Sequence, residues 1–439
     1  MINKTNIFLN LFICYYIIFM QIKDTEVMDY ILWEEKRQQE GIELIASENY
    51  QSYDVLAVQS SVFANKYAEG YPWKRYYWGQ EWTDKLENLA IQRAKKIFHS
   101  DHANVQALSG AAANLCFYTA CMNPWDNILG LEMGHGWHLT HGAPVTFISK
   151  VFNFYGYGTT KEWEIDYKEV RKLALEHKPK VILAWFSAYP RELDYAKFSE
   201  IAKEVWAIAY ADISHIWGFI AAWELKNPLD YGFHAMMSTT HKSLRWPRGA
   251  IILSKGIVSN PLKKVEETIE NLPTRIDRAV FPWMQGGPHM NTIAGITIAL
   301  KEVETKEFKR YAKQSLLNAQ VMANEFLSLG YTLVTWGTDN HMILLDLSNE
   351  DYDGSIVEEI LDKIGISVSK SLIPNDTRPA FRPSGVRIGT PAMTTRGCKE
   401  NDIKEIVGFI DKGIKNREDE EILEKLRNEV KEFGMKFKI

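Results

Sequence analysis

The feature that most constrains the fold is the alternation of short, wholly apolar runs with helical segments between residues 181 and 242. Val181–Ala184 and Ala207–Tyr210 are two such runs, a helical pattern over 196–206 lies between them, and a third run begins at Met236. Apolar runs without alternation are typical of strands buried on both faces, and strands joined by helices pair in parallel. The chain is therefore predicted to be an α/β protein built on a mostly parallel sheet.

Each of these runs ends in residues that carry chemistry. Ser187 follows the first run, Asp212 and His215 follow the second, and Lys242 follows the third. Open α/β sheets bind ligands at the carboxyl ends of their strands, so these side chains are expected at one edge. A lysine at the end of a buried strand is partly desolvated, which lowers its pKa and makes the neutral amine available for Schiff-base chemistry. The alternative for Lys242 alone is a lysine that simply reaches solvent.

Two further stretches suit an anionic ligand. The segment Val105–Asn114 passes from a strand pattern through Ser109 and Gly110 into a helix, and a helix N-terminus can hold a phosphate. A plain N-cap is the alternative there. Arg387 alternates with apolar neighbours in the strand pattern 385–391, so it projects from the opposite face, where a guanidinium suits a bidentate carboxylate contact. A structural salt bridge is the alternative for Arg387.

Three histidines, His135, His138 and His141, fall within seven residues. Metal binding is one interpretation, and stacking of an imidazole on a planar cofactor is another. No cysteine or acidic residue stands at ligand spacing nearby, and such sites need a complete ligand set. We therefore expect no metal site.

The bulk properties exclude several classes of protein. A length of 439 residues suggests two to three domains. The net charge is −5 and there is no basic block, so no nucleic-acid partner is expected. The four cysteines lack C-x-x-C spacing, which argues against a zinc ribbon or a disulfide framework and favours reduced thiols in a cytosolic protein.

The first residues differ from the rest, because Ile7–Met20 is almost wholly apolar. A signal peptide, a membrane anchor and a stretch upstream of the true start are the three interpretations. No small-residue cleavage site follows, and the run is short for a membrane span. We expect residues 1–19 to precede the true start at Met20 and expect no membrane association.

The motifs taken together resemble the serine hydroxymethyltransferase family, which uses pyridoxal 5′-phosphate (PLP). The matching blocks are Ile42–Asn49, Asn65–Tyr77, His102–Asn114, His135–Pro144, Ser187–Arg191, Asp212–Gly218, Thr239–Gly249, Phe281–Pro288, Thr338–His341 and Ser384–Gly397. The resemblance implies the fold-type I, aminotransferase-like α/β fold. It implies an N-terminal arm and large PLP-binding domain over 20–296 and a smaller C-terminal α/β domain over 297–439. It also implies a homodimer, with a tetramer left open, whose active sites are shared between subunits.

The resemblance also implies how PLP is held. Lys242 would form the Schiff base, and Asp212 would keep the pyridine nitrogen protonated so that the ring acts as an electron sink. The other implied contacts are His138 stacked on the ring, Ser187 and His215 near the ring hydroxyl, Ser109, Gly110 and the amide of Ala111 on the phosphate, and Tyr77 and Gly287 from the second subunit on the same phosphate.

The same resemblance assigns the residues that handle the substrates. Arg387 would bind the amino-acid carboxylate, and Thr239 and His241 would orient the lysine. Tyr67 and Glu69, from the second subunit, would handle the hydroxymethyl group, with Glu69 as a proton-transfer group. The residues implied on the folate side are Ser47, Met133 and Leu139.

The implied reaction is the reversible transfer of the serine hydroxymethyl carbon to tetrahydrofolate, which gives glycine and 5,10-methylenetetrahydrofolate. It would place the chain in cytoplasmic one-carbon metabolism and glycine biosynthesis. Two alternatives stay open. One is a folate-independent PLP aldolase acting on 3-hydroxy amino acids, against which Tyr67, Glu69 and Leu139 argue. The other is a PLP-fold scaffold whose pocket is blocked by tryptophan.

The tryptophans are the main departure from the family pattern. The chain has 14, and many stand where the family motifs have glycine. These are Trp73, Trp78, Trp125, Trp137, Trp163, Trp185, Trp206, Trp223, Trp246, Trp283 and Trp336. Trp cannot replace Gly where φ is positive or where backbone meets ligand. All of these differences run in one direction, from glycine to tryptophan, which indicates a single cause. Our hypothesis is that the gene uses UGA for glycine and that the sequence was translated as though UGA specified tryptophan. A smaller departure is Ser371, where the family usually has Asn near the folate.

Overall fold

The structure is a computed structural model that describes residues 22–132, 134, 138–185 and 187–439. The expectations placed on residues 1–19, Met133, His135 and Trp137 lie outside the described residues. Within them, no helix is both long enough and apolar enough to cross a membrane. The cysteines that the structure describes, Cys116, Cys121 and Cys398, form no disulfide.

Helices cover much of the described chain. They are α1 (Thr25–Glu40), α2 (Tyr53–Gln59), α3 (Glu81–Phe98), α4 (Gly110–Cys121), α5 (Tyr167–His177), α6 (Tyr195–Glu204), α7 (Trp217–Ala221), α8 (Leu272–Arg278), α9 (Met290–Glu302), α10 (Lys306–Ser328), α11 (Gly354–Lys363), α12 (Pro391–Thr395), α13 (Glu400–Lys415) and α14 (Glu420–Gly434).

The strands are short and fall between the helices. They are β1 (Ile42–Glu43), β2 (Gly70–Tyr71), β3 (Lys74–Arg75), β4 (His102–Asn104), β5 (Asn127–Leu131), β6 (Asn153–Tyr157), β7 (Val181–Trp185), β8 (Ile208–Asp212), β9 (Ala235–Thr239), β10 (Ala250–Ser254), β11 (Thr332–Leu333), β12 (Met342–Asp346), β13 (Ile366–Ser367), β14 (Ser369–Ser371) and β15 (Gly385–Gly389).

A seven-stranded sheet in the order β4-β10-β9-β8-β7-β5-β6 forms the centre of the described chain. Strands β5 to β9 pair in parallel, and β10 runs antiparallel to β9 and β4. Every residue of β7, β8 and β9 is buried, as expected for strands covered on both faces by helices. The prediction of an α/β protein with a mostly parallel sheet is confirmed.

A second, antiparallel sheet in the order β11-β12-β15-β14 lies in the C-terminal part. Its apolar residues join a separate core that runs from Met322 to Phe433 and also takes in Ile42 and Leu44. The first core extends from Val55 to Ala312. Helix α10 contributes its first turns to one core and its last turns to the other, so it connects the two cores.

Two predicted elements differ from those observed. The tail helix, expected over 416–439, is the shorter α14, because the Asp419 carboxylate accepts hydrogen bonds from the backbone of Glu421 and Ile422 and starts the helix there. The strand expected from Val105 instead ends at Asn104. The Asn104 side chain accepts a hydrogen bond from the backbone of Gln106, which turns the chain away from the ladder.

The tryptophans occupy unusual places. Six of them have φ between 57° and 73°: Trp73, Trp125, Trp163, Trp206, Trp223 and Trp336. A bulky residue in this left-handed region is an outlier, and each costs about 1–2 kcal/mol. Three more, Trp185, Trp217 and Trp246, are buried, and their indole N–H groups have no hydrogen-bond partner among the described residues. A buried donor left unpaired costs about 1–3 kcal/mol.

Candidate active site

Lys242 lies just beyond the carboxyl end of β9, in a turn that closes where the Thr240 amide donates to the carbonyl oxygen of Gly249 at 3.0 Å. Its side chain is buried. Burial lowers the pKa of Lys242 to about 8, the carboxylate of Asp212 opposes this shift, and the cation of Arg387 adds to it. Roughly a tenth of the amine is therefore neutral at pH 7, far more than for an ordinary lysine, and the neutral form is the one that covalent carbonyl chemistry requires.

The backbone of this turn is held from outside the sheet. Asn49 Nδ2 donates to the Lys242 carbonyl oxygen at 3.2 Å and to Tyr311 Oη at 2.8 Å. Tyr311 Oη in turn donates to the Ser243 carbonyl oxygen at 3.0 Å, and Thr395 Oγ1 donates to Asn49 Oδ1 at 2.7 Å. The segment after β1, helix α10 and helix α12 thus fix the position of the lysine turn.

Asp212 is the last residue of β8 and is held by four hydrogen bonds. Its Oδ1 accepts from Ser214 Oγ at 2.6 Å and from the Ser214 amide at 3.1 Å. Its Oδ2 accepts from Asn114 Nδ2 at 3.1 Å and from His141 Nε2 at 3.0 Å. Burial alone would raise the pKa of Asp212, but the hydrogen bond that it accepts from His141, with the electrostatic attraction of nearby side chains, outweighs burial and holds that pKa below its usual value. The carboxylate therefore stays ionised at the sheet edge.

Two of the expected cofactor histidines approach this edge. His138 is half-buried and its Nδ1 lies 2.7 Å from Thr140 Oγ1, and burial lowers its pKa to about 4. His215 is buried and stacks on His341 with ring centroids 5.7 Å apart, and burial lowers its pKa as well. Both rings are thus neutral at physiological pH. Among the residues that the structure describes, no group of His, Cys, Asp or Glu is arranged to hold a metal ion.

The N-terminus of α4 points toward the same region. Ser109 is its N-cap, with Oγ accepting from the Ala112 amide at 3.2 Å, and the first N–H groups of a helix have no partner within it. Gly110 packs against β9 so closely that a Cβ would lie 2.6 Å from Thr239 Cγ2, so a larger residue would collide with Thr239. Gln285 fastens the preceding loop, with Oε1 accepting from the Leu108 amide at 3.1 Å.

Arg387 reaches from the second sheet to the first. Its Nη1 donates to the Ser187 carbonyl oxygen at 2.7 Å, while its neighbours Val386 and Ile388 are buried in the C-terminal core. Burial lowers the pKa of Arg387 to about 10, so the guanidinium remains a cation at neutral pH. The expected alternation along β15 thus directs this cation toward the carboxyl edge of the central sheet.

Several buried polar atoms around Lys242 have no hydrogen-bond partner among the described residues. They are Thr239 Oγ1, His215 Nδ1, His241 Nδ1 and Arg387 Nε. Buried polar groups normally are hydrogen-bonded, so several left unpaired around one lysine indicate a ligand-binding region. PLP carries an aldehyde, a ring nitrogen and a phosphate. The Lys242 amine suits the aldehyde, the Asp212 carboxylate suits the ring nitrogen, and the N-terminus of α4 suits the phosphate. The residues present therefore fit that cofactor.

A second group of expected site residues, here called the Tyr67 cluster, comprises Tyr67, Glu69, Tyr77 and Gly287. Tyr67 Oη donates to Glu69 Oε1 at 3.2 Å, Tyr77 Oη lies 3.4 Å from Glu69 Oε2, and a Cβ on Gly287 would lie 3.2 Å from the Tyr67 ring. The hydrogen bond with Glu69 raises the pKa of Tyr67. None of the hydrogen bonds among the described residues joins this cluster to Lys242.

The residues expected on the folate side are less constrained. Ser47 is half-buried in the segment after β1, whose Leu44 carbonyl oxygen accepts from the Gly389 amide at 2.8 Å, at the end of the strand that carries Arg387. Leu139 is exposed and follows His138 directly. Met133 lies outside the described residues. The structure therefore places Ser47 beside β15 and Leu139 beside His138.

Sequence reasoning missed the residues that hold Asp212. Asn114, His141 and Ser214 contact its carboxylate, and Tyr118 contacts His141, with Tyr118 Oη 2.8 Å from His141 Nδ1. The run of three histidines drew attention to His141 without giving it a role. Nothing in the spacing indicates Tyr118, because the contact depends on how α4 packs against the turn over 138–142.

One comparison with known proteins bears on the chain. The family model described as serine hydroxymethyltransferase matches residues 20–410. Lys242, Asp212 and Arg387 all lie within the matched residues.

Proposed function

The chain belongs to the serine hydroxymethyltransferase family, and from that premise we propose how its residues divide the work of the reaction. It is a PLP-dependent glycine hydroxymethyltransferase, which transfers the hydroxymethyl carbon of L-serine reversibly to tetrahydrofolate and forms glycine and 5,10-methylenetetrahydrofolate. PLP, when bound, supplies an electron sink for negative charge that develops at the α-carbon of the amino acid.

In our proposal Lys242 anchors the cofactor through its buried amine, and Asp212 holds a proton on the cofactor's ring nitrogen. Thr239 and His241 flank the lysine and orient it. The remaining cofactor contacts that we propose are His138 on the ring face, Ser187 and His215 on its hydroxyl side, and Ser109, Gly110 and Ala111 at the phosphate. Support comes from the unpaired buried atoms around Lys242 and from the ionised Asp212 beside it.

Arg387 is proposed to bind the carboxylate of serine or glycine. Arg387 is half-buried and still charged, and among the described residues its Nε has no partner and no acidic side chain forms a hydrogen bond with it, so a carboxylate can meet its fork. Holding the carboxylate fixes the amino acid relative to Lys242, and such positioning removes rotational freedom before the reaction.

Glu69 is proposed to move the proton of the serine hydroxyl, with Tyr67 beside it. Both would come from the partner subunit of a homodimer, together with Tyr77 and Gly287 at the phosphate. Tyr67 and Tyr77 are exposed on the single chain, and hydrogen bonds tie them to Glu69 rather than to the Lys242 region. A site completed by a second copy would use this exposed cluster.

The finer assignments follow the same logic. Ser47, Leu139 and Met133 are proposed to contact tetrahydrofolate, and Ser371 would take the place of the family's Asn there. We propose the division into 20–296 and 297–439, a location in the cytoplasm and a role in one-carbon metabolism. The observation that carries the whole proposal is the meeting of Lys242, Asp212 and Arg387 at one edge of the central sheet.

Mixing two inactive variants tests the shared site. Lys242→Ala and Glu69→Gln are each expected to abolish tetrahydrofolate-dependent glycine formation from serine. If subunits exchange at random, half of the dimers are hybrids with one intact site of two, so about a quarter of the activity returns. No recovery in verified hybrid dimers would show that Glu69 acts within its own chain.

Serine cleavage that proceeds equally well without tetrahydrofolate would instead favour the folate-independent aldolase.

A further inference from the structure

Tyr118, His141 and Asp212 form a buried chain of hydrogen bonds that runs from the proposed cofactor site into the core. Tyr118 Oη lies 2.8 Å from His141 Nδ1, and His141 Nε2 lies 3.0 Å from Asp212 Oδ2. All three side chains are buried. The Tyr118 ring packs edge-on against Phe152 and Phe154, so the phenol is fixed in place by apolar neighbours.

The chemistry of the three groups sets the direction of the hydrogen bonds. An ionised carboxylate only accepts, so Nε2 of His141 must carry the hydrogen that points at Asp212. Burial raises the pKa of Tyr118 well above its usual value, so its hydroxyl stays protonated and can donate to Nδ1. Tyr118 therefore supplies the donor that Nδ1 needs in the tautomer that Asp212 requires.

We propose that Tyr118 is a positioning residue for the cofactor, a proposal that rests on the function proposed for Asp212. Its hydroxyl donates to Nδ1 of His141 and so holds the ring with Nε2–H directed at Asp212. That donor, with Ser214 and Asn114, orients the carboxylate of Asp212 so that its remaining lone pairs face the pyridine nitrogen of PLP. Without the hydroxyl, the buried Nδ1 of His141 loses its donor and the ring is held less firmly against Asp212.

Tyr118→Phe removes the hydroxyl and keeps the ring. We expect PLP to bind roughly three- to tenfold more weakly, the loss of one modest hydrogen bond. The absorbance of the bound cofactor changes with pH, and we expect the midpoint of that change to shift, because the charge of Asp212 acts on the ring nitrogen. Tyr157→Phe is the matched control, since Tyr157 is equally buried and its hydroxyl donates to the Leu183 carbonyl oxygen at 2.9 Å, away from Asp212.

A double-mutant cycle completes the test. His141→Gln keeps an N–H at the place of Nε2, which can reach Asp212 but no longer depends on Tyr118, so adding Tyr118→Phe to it should change PLP affinity little. Additive effects, or a Tyr118→Phe variant that matches Tyr157→Phe in affinity and spectrum, would overturn the proposal. A wild-type protein that binds no PLP would instead overturn the proposed function.

A second inference comes from the ends of three helices, which close with the same pair of hydrogen bonds. After α10, the Gly330 amide donates to the Leu327 carbonyl oxygen and the next amide donates to Phe326. After α6 the corresponding donors are Trp206 and the next residue, and after α7 they are Trp223 and the next residue. This turn needs a left-handed residue, which is usually glycine.

The tryptophans at these turns make little use of their side chains. Trp206 is 92% exposed and Trp223 is 68% exposed, although tryptophan is among the more buried residue types. Their φ values are 59° and 69°, against 91° at Gly330. The other left-handed tryptophans are Trp73, Trp125, Trp163 and Trp336. Backbone and side chain thus both argue against tryptophan at these positions.

We infer that these six positions are glycine in the protein that its own cell makes, as decoding of UGA as glycine would produce. Peptide mass spectrometry of protein from the native organism should find glycine at position 206, and UGA should be the codon there. Tryptophan in that peptide, or a UGG codon, would overturn the inference.

Recombinant variants test the backbone argument separately. Trp206→Gly and Trp223→Gly should each raise the midpoint of thermal unfolding by about 1–3 °C. Trp206→Ala is the matched control, because it removes the indole but keeps a Cβ in the left-handed region, and Gly330→Trp should lower the midpoint. A Gly variant no more stable than the Ala variant would contradict the glycine requirement.

Discussion

The carboxyl edge of the central sheet and the tryptophan-bearing turns differ in how well residue type suits local structure. At the sheet edge, Lys242 and Asp212 are buried, Arg387 is half-buried, and the charge of each suits the role that we propose for it. At the turns, the largest side chain occupies a backbone conformation suited to the smallest, as at Trp206 and Trp223. In our proposal the first region carries the chemistry, whereas the left-handed tryptophans of the second weaken the fold.

This difference explains why the function can be assigned although many motif glycines read as tryptophan. Catalytic assignment rests on a few side chains, which converge independently of the turns. Fold stability rests on many positions, and small penalties at each add up to a large part of the usual margin of about 5–15 kcal/mol. Substitutions in the two regions should therefore affect different measurements.

The largest effect is expected from Lys242→Ala. Loss of the amine that anchors the cofactor should lower kcat/KM for serine at least about 10³-fold with little change in the urea midpoint. Lys313→Ala, which removes an exposed lysine of α10, is the control and should leave both quantities unchanged. Residual activity above a tenth of wild type would contradict this prediction, because it would show that the sheet edge is not the active site.

Arg387→Lys should have the next largest effect. The charge is kept but the planar fork is lost, so kcat/KM for serine should fall about tenfold to a hundredfold, mainly through KM. Arg382→Lys serves as the control, because Arg382 is an exposed partner of Asp353 away from the sheet edge. Equal effects of the two changes would remove the distinction between a substrate contact and a structural ion pair.

The pH dependence of cofactor capture should show the lowered pKa of Lys242. The attacking form is the neutral amine, so with a pKa of about 8 its fraction rises from roughly a tenth at pH 7 to nine-tenths at pH 9. The rate at which apoprotein takes up PLP should rise about tenfold over that range and then level off. A rate still climbing steeply above pH 10 would mean that the lysine is not desolvated.

The smallest expected effect is that of Trp33→Gly, which shows whether glycine stabilises the protein only at the turns or wherever it replaces an exposed tryptophan. Trp33 is 63% exposed, close to the 68% of Trp223, but lies inside α1, where glycine is a poor helix former. Trp33→Gly should lower the free energy of unfolding by about 0.5 kcal/mol, opposite in sign to Trp206→Gly. Stabilisation by both changes in urea titrations would assign the effect to the loss of exposed indole and not to the backbone.

Much of this architecture was predictable because local pattern and global fold agree. Buried strands 181–184 and 207–210 and the helix over 354–363 follow from periodicity alone. The boundary at Asn104 was not predictable in this way, since a side chain hydrogen bond to Gln106 ends the strand there.

The site was predictable only in part. Motif order led to the family, which the family match confirms, whereas the roles of individual residues remain proposals. Tyr118 and Asn114 could not be found from sequence, because their contact with His141 and Asp212 depends on the packing of α4 against the edge of the sheet. The conflict at the turns was visible in sequence as tryptophan in glycine motifs, and the φ values supply its physical cause.

The most direct test of the account is to find which lysine carries the cofactor. Protein loaded with PLP is reduced with borohydride, which makes the bond between cofactor and lysine permanent, and is then digested for peptide mass spectrometry. The account predicts the pyridoxyl group on the peptide that contains Lys242 and its absence from the Lys242→Ala protein. Attachment at a different lysine, or no attachment in protein shown to be folded, would contradict it.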